Sequence, residues 1–277
     1  MKNKLIIYTC IAAFFLPAIS TCKPSQPAGQ NPVKGTIILA TTTSTYDSGL
    51  LDFILPVFTA ETGWKVDVVS VGTGAALQLG RDGQADVLLV HAKAQEIRFV
   101  ADGHGLARFD VMYNDFIVAG PEGQIPPNSD VARTFRIIAE QNLAFVSRGD
   151  NSGTHTMELN LWKIIGIDPE NLSNYASVGQ GMGAALQMAN EMRAYTLADR
   201  ATWLSQPGMS IKSICELDPL LFNYYGVIAV NPDKSPHINA EGAQDFINWI
   251  LNSSAQELIG IYGLTEFGEP LFFPNVF

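Results

Sequence analysis

The sequence predicts an α/β protein of two lobes, each a mostly parallel sheet flanked by helices, with two hinge crossings between them. Three observations carry this. Strand-like and helix-like stretches alternate along the body, the pattern of a parallel sheet covered on both faces. A strand–glycine–helix unit occurs twice, as Ser70-Val71-Gly72-Thr73-Gly74-Ala75-Ala76-Leu77-Gln78-Leu79 and as Ser177-Val178-Gly179-Gln180-Gly181-Met182-Gly183-Ala184-Ala185-Leu186-Gln187-Met188. Two strands that each stop at a proline, at Gly120-Pro121 and Asn231-Pro232, flank the unit holding the second copy, which therefore reads as an insertion.

The elements follow in order. Lys2 and Lys4 precede an apolar run over residues 5–16 and small residues at Ala18, Ser20 and Thr21, so residues 1–22 read as a secretory signal too short to span a bilayer. Ile19-Ser20-Thr21-Cys22 fits a bacterial lipobox that would place a lipid on Cys22. Thr21 is a poor residue before that cut, which leaves ordinary cleavage near Ser20 as the alternative. Residues 23–34, rich in Pro, Gly, Gln and Ser up to Pro32, read as a flexible tether. Residues 35–40 are a strand, 49–62 a helix interrupted near Pro56, 64–71 a strand, 75–82 a helix and 85–90 a fully apolar strand. A long strand over 111–119 leads into a Pro- and Gly-rich crossing, a second α/β unit spans 131–223, a strand runs from Tyr225 to Pro232, and an amphipathic helix covers 240–252. The expected lobes are residues 35–117 with 227–277, and residues 118–226.

Of the 3 cysteines, Cys10 leaves with the signal, so Cys22 and Cys215 supply no disulfide framework and stability must come from an apolar core. Removing Lys2 and Lys4 leaves 15 basic residues against 27 acidic ones, a formal charge of −12, which makes nucleic acid an unsuitable partner. An acidic chain still binds an anion through local donors. About seven hydrogen bonds to a charged group, at roughly 1.5–3 kcal/mol each, exceed the ~12 kcal/mol of a nanomolar complex before ordering costs.

The stretch Phe145-Val146-Ser147-Arg148-Gly149-Asp150-Asn151-Ser152-Gly153-Thr154-His155 runs from a strand through an arginine-bearing turn into a helix start. The first N–H groups of a helix lack intrahelical partners and sit at its positive end, an anion site to which Ser152, Gly153 and Thr154 belong. Arg148 adds a permanently charged planar fork. The plainer alternative is that Ser152 or Asn151 merely caps the helix. The first lobe offers a hydroxyl-rich turn, Thr41-Thr42-Thr43-Ser44-Thr45, which is also compatible with a β-prone run and its cap. Ligands in open α/β sheets bind beyond the carboxyl ends of the strands, so two hydroxyl-rich turns and two glycine loops facing across a cleft would surround one small molecule.

Other chemistries are not written here. The Gly179-x-Gly181-x-Gly183 spacing is not the dinucleotide fingerprint, and the serine of Gly149-Asp150-Asn151-Ser152-Gly153 is one position late for a nucleophile elbow. His91, His104, His155 and His237 are scattered without a Cys or carboxylate cluster, so neither a metal centre nor a catalytic triad is expected. Asp150 either pairs with Arg148, caps the helix, or accepts the proton of a phosphate; Asp199-Arg200 reads as a structural ion pair near the cleft.

With these residues assembled, the chain resembles the periplasmic tungstate-binding component of ABC transporters. The resemblance rests on Ala40-Thr41-Thr42-Thr43-Ser44-Thr45-Tyr46-Asp47-Ser48-Gly49-Leu50, Val71-Gly72-Thr73-Gly74, Asp86-Val87-Leu88-Leu89-Val90-His91-Ala92, Met112-Tyr113-Asn114-Asp115-Phe116, residues 147–155, Gly179-Gln180-Gly181-Met182-Gly183, Tyr195-Thr196-Leu197 and Phe222-Asn223-Tyr224-Tyr225-Gly226-Val227-Ile228-Ala229-Val230-Asn231-Pro232, in the expected order. It implies a type II-like periplasmic binding protein, not an enzyme and without a cofactor, that closes over tungstate and delivers it to a membrane permease. The implied donors are Thr42, Thr43, Ser44 and Thr73 from one lobe, and Arg148, Ser152, Gly153 and Thr154 from the other. Ala198 and Asn151 depart from the usual pattern without removing a donor. Tungstate is a fully deprotonated dianion that suits an all-donor pocket, and molybdate has nearly its size and charge. A phosphate-binding transport protein is the alternative. The expected state is a monomer on the extracytoplasmic side, held at the membrane by a lipid on Cys22.

Overall fold

β1 (Gly35–Thr42) pairs in parallel with β2 (Trp64–Val71) along its whole length and with β3 (Val87–Val90) on its other side, making β1 the centre of a buried parallel sheet. The computed structural model describes residues 32–127 and 129–276, so the expected signal, the lipidation site Cys22 and most of the tether lie outside the described residues. β3 is buried at every position, as its unbroken apolar run requires. Three helices link and follow these strands: α1 (Thr43–Asp47) and α2 (Leu50–Thr62) between β1 and β2, and α3 (Thr73–Arg81) between β2 and β3. α2 continues through Pro56 where the sequence reading expects an interruption. Pro56 and Asp52, whose carbonyl loses its helical partner, both lie on the exposed side, where water can satisfy the freed group.

α4 (Lys93–Ala101) leads into β4 (Gly105–Gly120), a strand of 16 residues that starts well before the expected position 111. Residues 105–115 of β4 pair antiparallel with β9 (Phe222–Val230), which in turn pairs antiparallel with β3. From Phe116 onward β4 changes partner and pairs antiparallel with β7 (Thr196–Asp199) and β8 (Lys212–Cys215). The parallel sheet thus becomes mixed where β9 and β4 join it, in the order β10-β4-β9-β3-β1-β2, β10 (Phe273–Pro274) pairing with β4.

Between those pairings lie α5 (Val131–Glu140), β5 (Phe145–Ser147), α6 (Gly153–Ile164), β6 (Tyr175–Ser177), α7 (Met182–Met192) and α8 (Arg200–Leu204). β5 pairs in parallel with β6, and Phe145 bridges in parallel to Tyr195, just before β7. α9 (Ala240–Ile250), α10 (Ser253–Ile261) and α11 (Leu264–Phe267) close the chain. The sequence repeat is a repeat of structure: β2 with α3, and β6 with α7, are each a strand, a glycine turn and a helix.

Alternation along the strands sorts the core. Leu39 packs with Leu50, Phe58, Phe246 and Trp249, whereas Ala40 packs on the opposite face with Leu77, Leu88 and Phe99. Likewise Val118 joins Phe135, Phe145 and Trp162, and its neighbours Ile117 and Ala119 join Met182, Leu186 and Ala189. Helices therefore cover both faces of each sheet region.

At the point where β4 changes partner, one buried guanidinium gathers three carboxylates. Arg200 donates from Nε and Nη2 to the two oxygens of Asp115, both at 2.7 Å, and from Nη1 to Glu269 at 2.7 Å, with Glu216 at 3.1 Å from Nη2. The Asp199-Arg200 pair expected from the sequence does not form. Asp199 instead caps α8, accepting from the backbone N–H and the hydroxyl of Thr202, each at 2.8 Å. The hydrogen bonds from Arg200 to Asp115 hold the guanidinium's pKa above its ordinary value despite burial. Because Asp115 is fully buried, Arg200→Met should cost about 3–5 kcal/mol of stability, the range for breaking a buried pair from one side. Urea denaturation checks this; an unchanged midpoint would mean the cluster does not hold the crossing.

Candidate functional site

The strand ends and helix starts of both sheet regions open onto one cavity of ≈ 1130 Å³. All eight donor residues named from the sequence line it: Thr42, Thr43, Ser44, Thr73, Arg148, Ser152, Gly153 and Thr154. The N-terminal residues of α3, α6 and α7, namely Thr73, Gly153 and Met182, face the same space. Gly72 and Gly181 precede α3 and α7 without a side-chain cap, so no side chain competes there for the free N–H groups.

The turn after β1 is organised by its hydroxyls. Thr41 is turned away, donating to the Leu89 carbonyl at 2.7 Å. Thr42 caps α1: its oxygen accepts from the Thr45 N–H at 3.4 Å and lies 2.6 Å from the Thr45 hydroxyl and 3.2 Å from that of Ser44. Thr43 and Ser44 are exposed toward the cavity.

The turn after β5 is built around Arg148 and Asp150. Nε of Arg148 donates to Asp150 at 2.8 Å, and Nη1 reaches the Thr154 hydroxyl oxygen at 3.4 Å. The other oxygen of Asp150 accepts the Ser152 N–H at 3.1 Å. Burial raises the Asp150 carboxyl, but hydrogen bonds from Ser152 and the Arg148 charge outweigh it and hold the pKa below the ordinary carboxylate range. Ser152 caps α6 by accepting from the His155 N–H at 3.3 Å. The Thr154 hydroxyl accepts from Arg148, which leaves its own proton for a ligand, whereas the Ser152 hydroxyl accepts from the His155 N–H and also bonds the Asp150 carboxylate.

Gly149 is required where it stands. Its φ is +64°, and a β-carbon there would meet the Ser177 hydroxyl at 1.7 Å. That close approach lets the Gly179 N–H bond the Arg148 carbonyl at 2.9 Å, fastening the arginine turn to the second glycine loop. Below, buried Glu158 accepts from Ser147 at 2.6 Å, Tyr175 at 2.7 Å and Trp162 at 3.1 Å, anchoring the end of β5, and burial pushes its pKa up.

Among the cavity residues that the sequence reading did not name as donors are His91, Asn114, Asn223 and Tyr225. His91 follows β3, and its Nε2 lies 3.1 Å from the Thr42 hydroxyl and 3.3 Å from that of Ser44. Its ring packs on Tyr225 with centroids 4.9 Å apart, and burial pushes its pKa down, against hydrogen bonds to its own carbonyl and to Asn223. Asn223 donates to Asn114 at 2.9 Å across the β4–β9 pairing. His91 at the end of an apolar strand was the available signal. Among the described residues no group of histidines, cysteines and carboxylates is arranged to hold a metal ion.

The family described as PBP superfamily domain matches residues 26–254. The chain is 53% identical to the tungstate-binding protein TupA of Peptoclostridium acidaminophilum, over 99% of both chains. It belongs to the tungstate-binding protein family of the periplasmic binding protein superfamily. Solved members of this family share the fold. The tungstate-binding protein TupA from Desulfovibrio alaskensis G20 superposes with a TM-score of 0.84 at 41% identity, covering 88% of this chain and 100% of its own. The structure described as the tungstate ABC transporter from Geobacter sulfurreducens gives 0.70 at 44% identity, covering 84% and 100%. The family resemblance and the α/β fold class read from the sequence are both borne out, and the role is that of a substrate-binding protein.

Asp150 ties down the arginine turn, and its pKa is depressed, so its stabilising contribution is present above the ordinary aspartate pKa near 3.9 and lost as pH falls through the lower folded-state value. Asp150→Asn should therefore lower stability at neutral pH by about 1 kcal/mol, a figure reduced for partial exposure, and the difference should shrink toward the most acidic pH at which both proteins fold. Paired denaturation curves across that range test it; a difference that does not shrink in acid would remove the carboxylate charge from the account.

Proposed function

We propose that this chain captures tungstate in the cleft, and molybdate with it to a degree set by pocket dimensions, and delivers the anion to an ABC permease on the extracytoplasmic side. The observation that carries the reading is the use already made of Asp150: one oxygen on Arg148, the other on the Ser152 N–H. A phosphate site needs an acceptor for the ligand's proton, whereas a fully deprotonated dianion asks for donors only. Thr42, Thr43, Ser44, Thr73, Arg148, Ser152, Gly153 and Thr154 supply donors from both sides of the cavity. The names of the relatives, tungstate-binding proteins, point the same way.

In this reading the two lobes meet where β4 changes partner at residues 115–116 and β9 begins at Phe222. The unliganded protein is open, because donors from one lobe alone would leave half of the anion's oxygens to water, and the ligand's added contacts drive closure. The chain works as a monomer, tethered through a lipid on Cys22, with no cofactor and no turnover. His91 lies beside Ser44, but among the described residues its ring bonds only hydroxyls by geometry and no carboxylate supports it as a general base.

Calorimetric titration with tungstate, molybdate, phosphate and sulfate at equal ionic strength tests the reading, together with an assay for release of phosphate and sulfate from their esters. The expected result is tight one-to-one binding of tungstate and no turnover; phosphate binding alone, or ester hydrolysis, would overturn it. Arg148→Ala should weaken dianion binding by about 2–5 kcal/mol, the cost of removing a buried charged partner. Small-angle scattering should show compaction on saturation, and identical profiles with and without ligand would refute closure.

A further inference from the structure

We infer that His155 is a positioning residue of the anion site: its ring accepts the Asn151 N–H, locks the turn between β5 and α6, and so sets the Gly153–Thr154 end of α6 against the bound anion. The inference rests on the tungstate-binding reading above and adds a residue to it.

The turn from Arg148 to Ser152 is short and bends sharply twice. Gly149 and Asn151 both hold left-handed backbone, with φ of +64° and +58°. Asparagine tolerates that region better than most residues, yet at an energy cost that a bond at the same place offsets. Side chains of the turn and of α6 supply the fastening. Asp150 takes the Ser152 N–H at 3.1 Å while holding Nε of Arg148 at 2.8 Å, and His155 takes the Asn151 N–H at 3.0 Å. The His155 N–H in turn donates to the Ser152 hydroxyl oxygen at 3.3 Å, so residue 155 grips the turn from both its backbone and its ring.

The direction of the ring's bond is settled by its partner. A backbone N–H can only donate, so Nδ1 meets it with a lone pair, and the ring that does so is neutral with its hydrogen on Nε2. Asn151, Ser152, Gly153 and Thr154 line the cavity, whereas His155 is not among the lining residues. The ring therefore acts on the anion through the turn and not by contact.

Its effect is to sort the amides. Successive N–H groups of a turn can form a concavity that takes an anion. Here two of them are closed off from within, Asn151 by His155 and Ser152 by Asp150. The Gly153 and Thr154 N–H groups, first in α6 and without an intrahelical partner, are left to face a ligand beside the Thr154 hydroxyl that Arg148 orients. Without an acceptor at residue 155 the Asn151 N–H is released and the turn relaxes, which moves the Arg148 fork and the start of α6 away from their places opposite the first-lobe donors.

Calorimetric titration of the full chain with tungstate tests this in wild type, His155→Phe and His155→Asn. Phenylalanine keeps a ring without an acceptor, and asparagine can place its carbonyl oxygen where Nδ1 stands. His155→Phe should bind tungstate about three- to tenfold more weakly, the equivalent of about one hydrogen bond, and His155→Asn should recover most of the loss. Disturbed packing alone would not be repaired by the smaller asparagine. In nitrogen-15-labelled wild-type chain saturated with tungstate, NMR should show a scalar coupling across the hydrogen bond between the Asn151 amide nitrogen and Nδ1 of His155. Wild-type affinity in His155→Phe, no recovery in His155→Asn, or an absent coupling overturns the inference while tungstate binding by wild type stands. If His155→Phe does not fold, His155→Ala takes its place in the comparison, and the wild-type coupling needs no variant. Wild-type chain that takes up no oxyanion overturns the functional reading and this one with it.

Discussion

The pairing of β4 with β9 is the constraint from which the cavity is built, because these two strands bring residues of distant sequence together in its lining. Asn114 faces Asn223 in their register, and the pairing of β9 with β3, Gly226 against Val90, carries Tyr225 against His91 at the end of β3. Once β4 passes Asp115 it leaves β9 and pairs with β7, next to which Phe145 of β5, the strand before the arginine turn, bridges to Tyr195. One uninterrupted strand therefore fixes where the two sets of donors stand. Arg200 clamps that point, since its fork takes both oxygens of buried Asp115 while its remaining arm reaches Glu269 near the C-terminus.

In the proposed reading, these donors reconcile a formal charge of −10 with an anion pocket. Net charge acts at long range and is screened over about 8–10 Å at physiological salt, whereas the N-terminal N–H groups of α3, α6 and α7 act at contact. Two carboxylates at or beside the cavity are engaged by the protein: Asp150 by Arg148 and Ser152, and Asp199 by Thr202. In the proposed reading, Asp150 is thereby used to orient Arg148, the cation that would attract the dianion.

The parts of this site visible in the sequence are those whose chemistry is local. Thr42 to Ser44, Thr73, and Ser152 to Thr154 each follow a strand and open a helix, and that order alone predicts free N–H groups beside hydroxyls. The repeated glycine unit gave the second copy of the same geometry. What sequence could not reach depends on register between remote segments. His91 looks like a single histidine after an apolar strand until pairing brings it under Thr42, and Asn114 and Asn223 acquire meaning only by facing each other across β4 and β9. Arg200 was matched with its neighbour Asp199, but the chain turns from strand to helix between them and sends the guanidinium to Asp115, 85 residues away. Pro56 misled for the opposite reason: its cost depends on which side of the helix faces water, which only packing decides.

Selectivity between two dianions of nearly equal size and charge cannot come from total charge, so it has to come from how rigidly the donors are set. A hydroxyl whose lone pair is filled by a fixed donor has little freedom left, and displacing its proton from the anion then costs a hydrogen bond of about 0.5–1.5 kcal/mol. Arg148, pinned at Nε by Asp150, can reach an anion only with its outer nitrogens and only from one direction. If the proposed donors hold the anion, the pocket would discriminate by distance: an anion slightly too small or too large would lose alignment at several donors together, and losses of a few tenths of a kcal/mol at each would multiply into a useful ratio of affinities. Loosening any one of the fixed partners would spare the overall attraction for dianions and erode that ratio first.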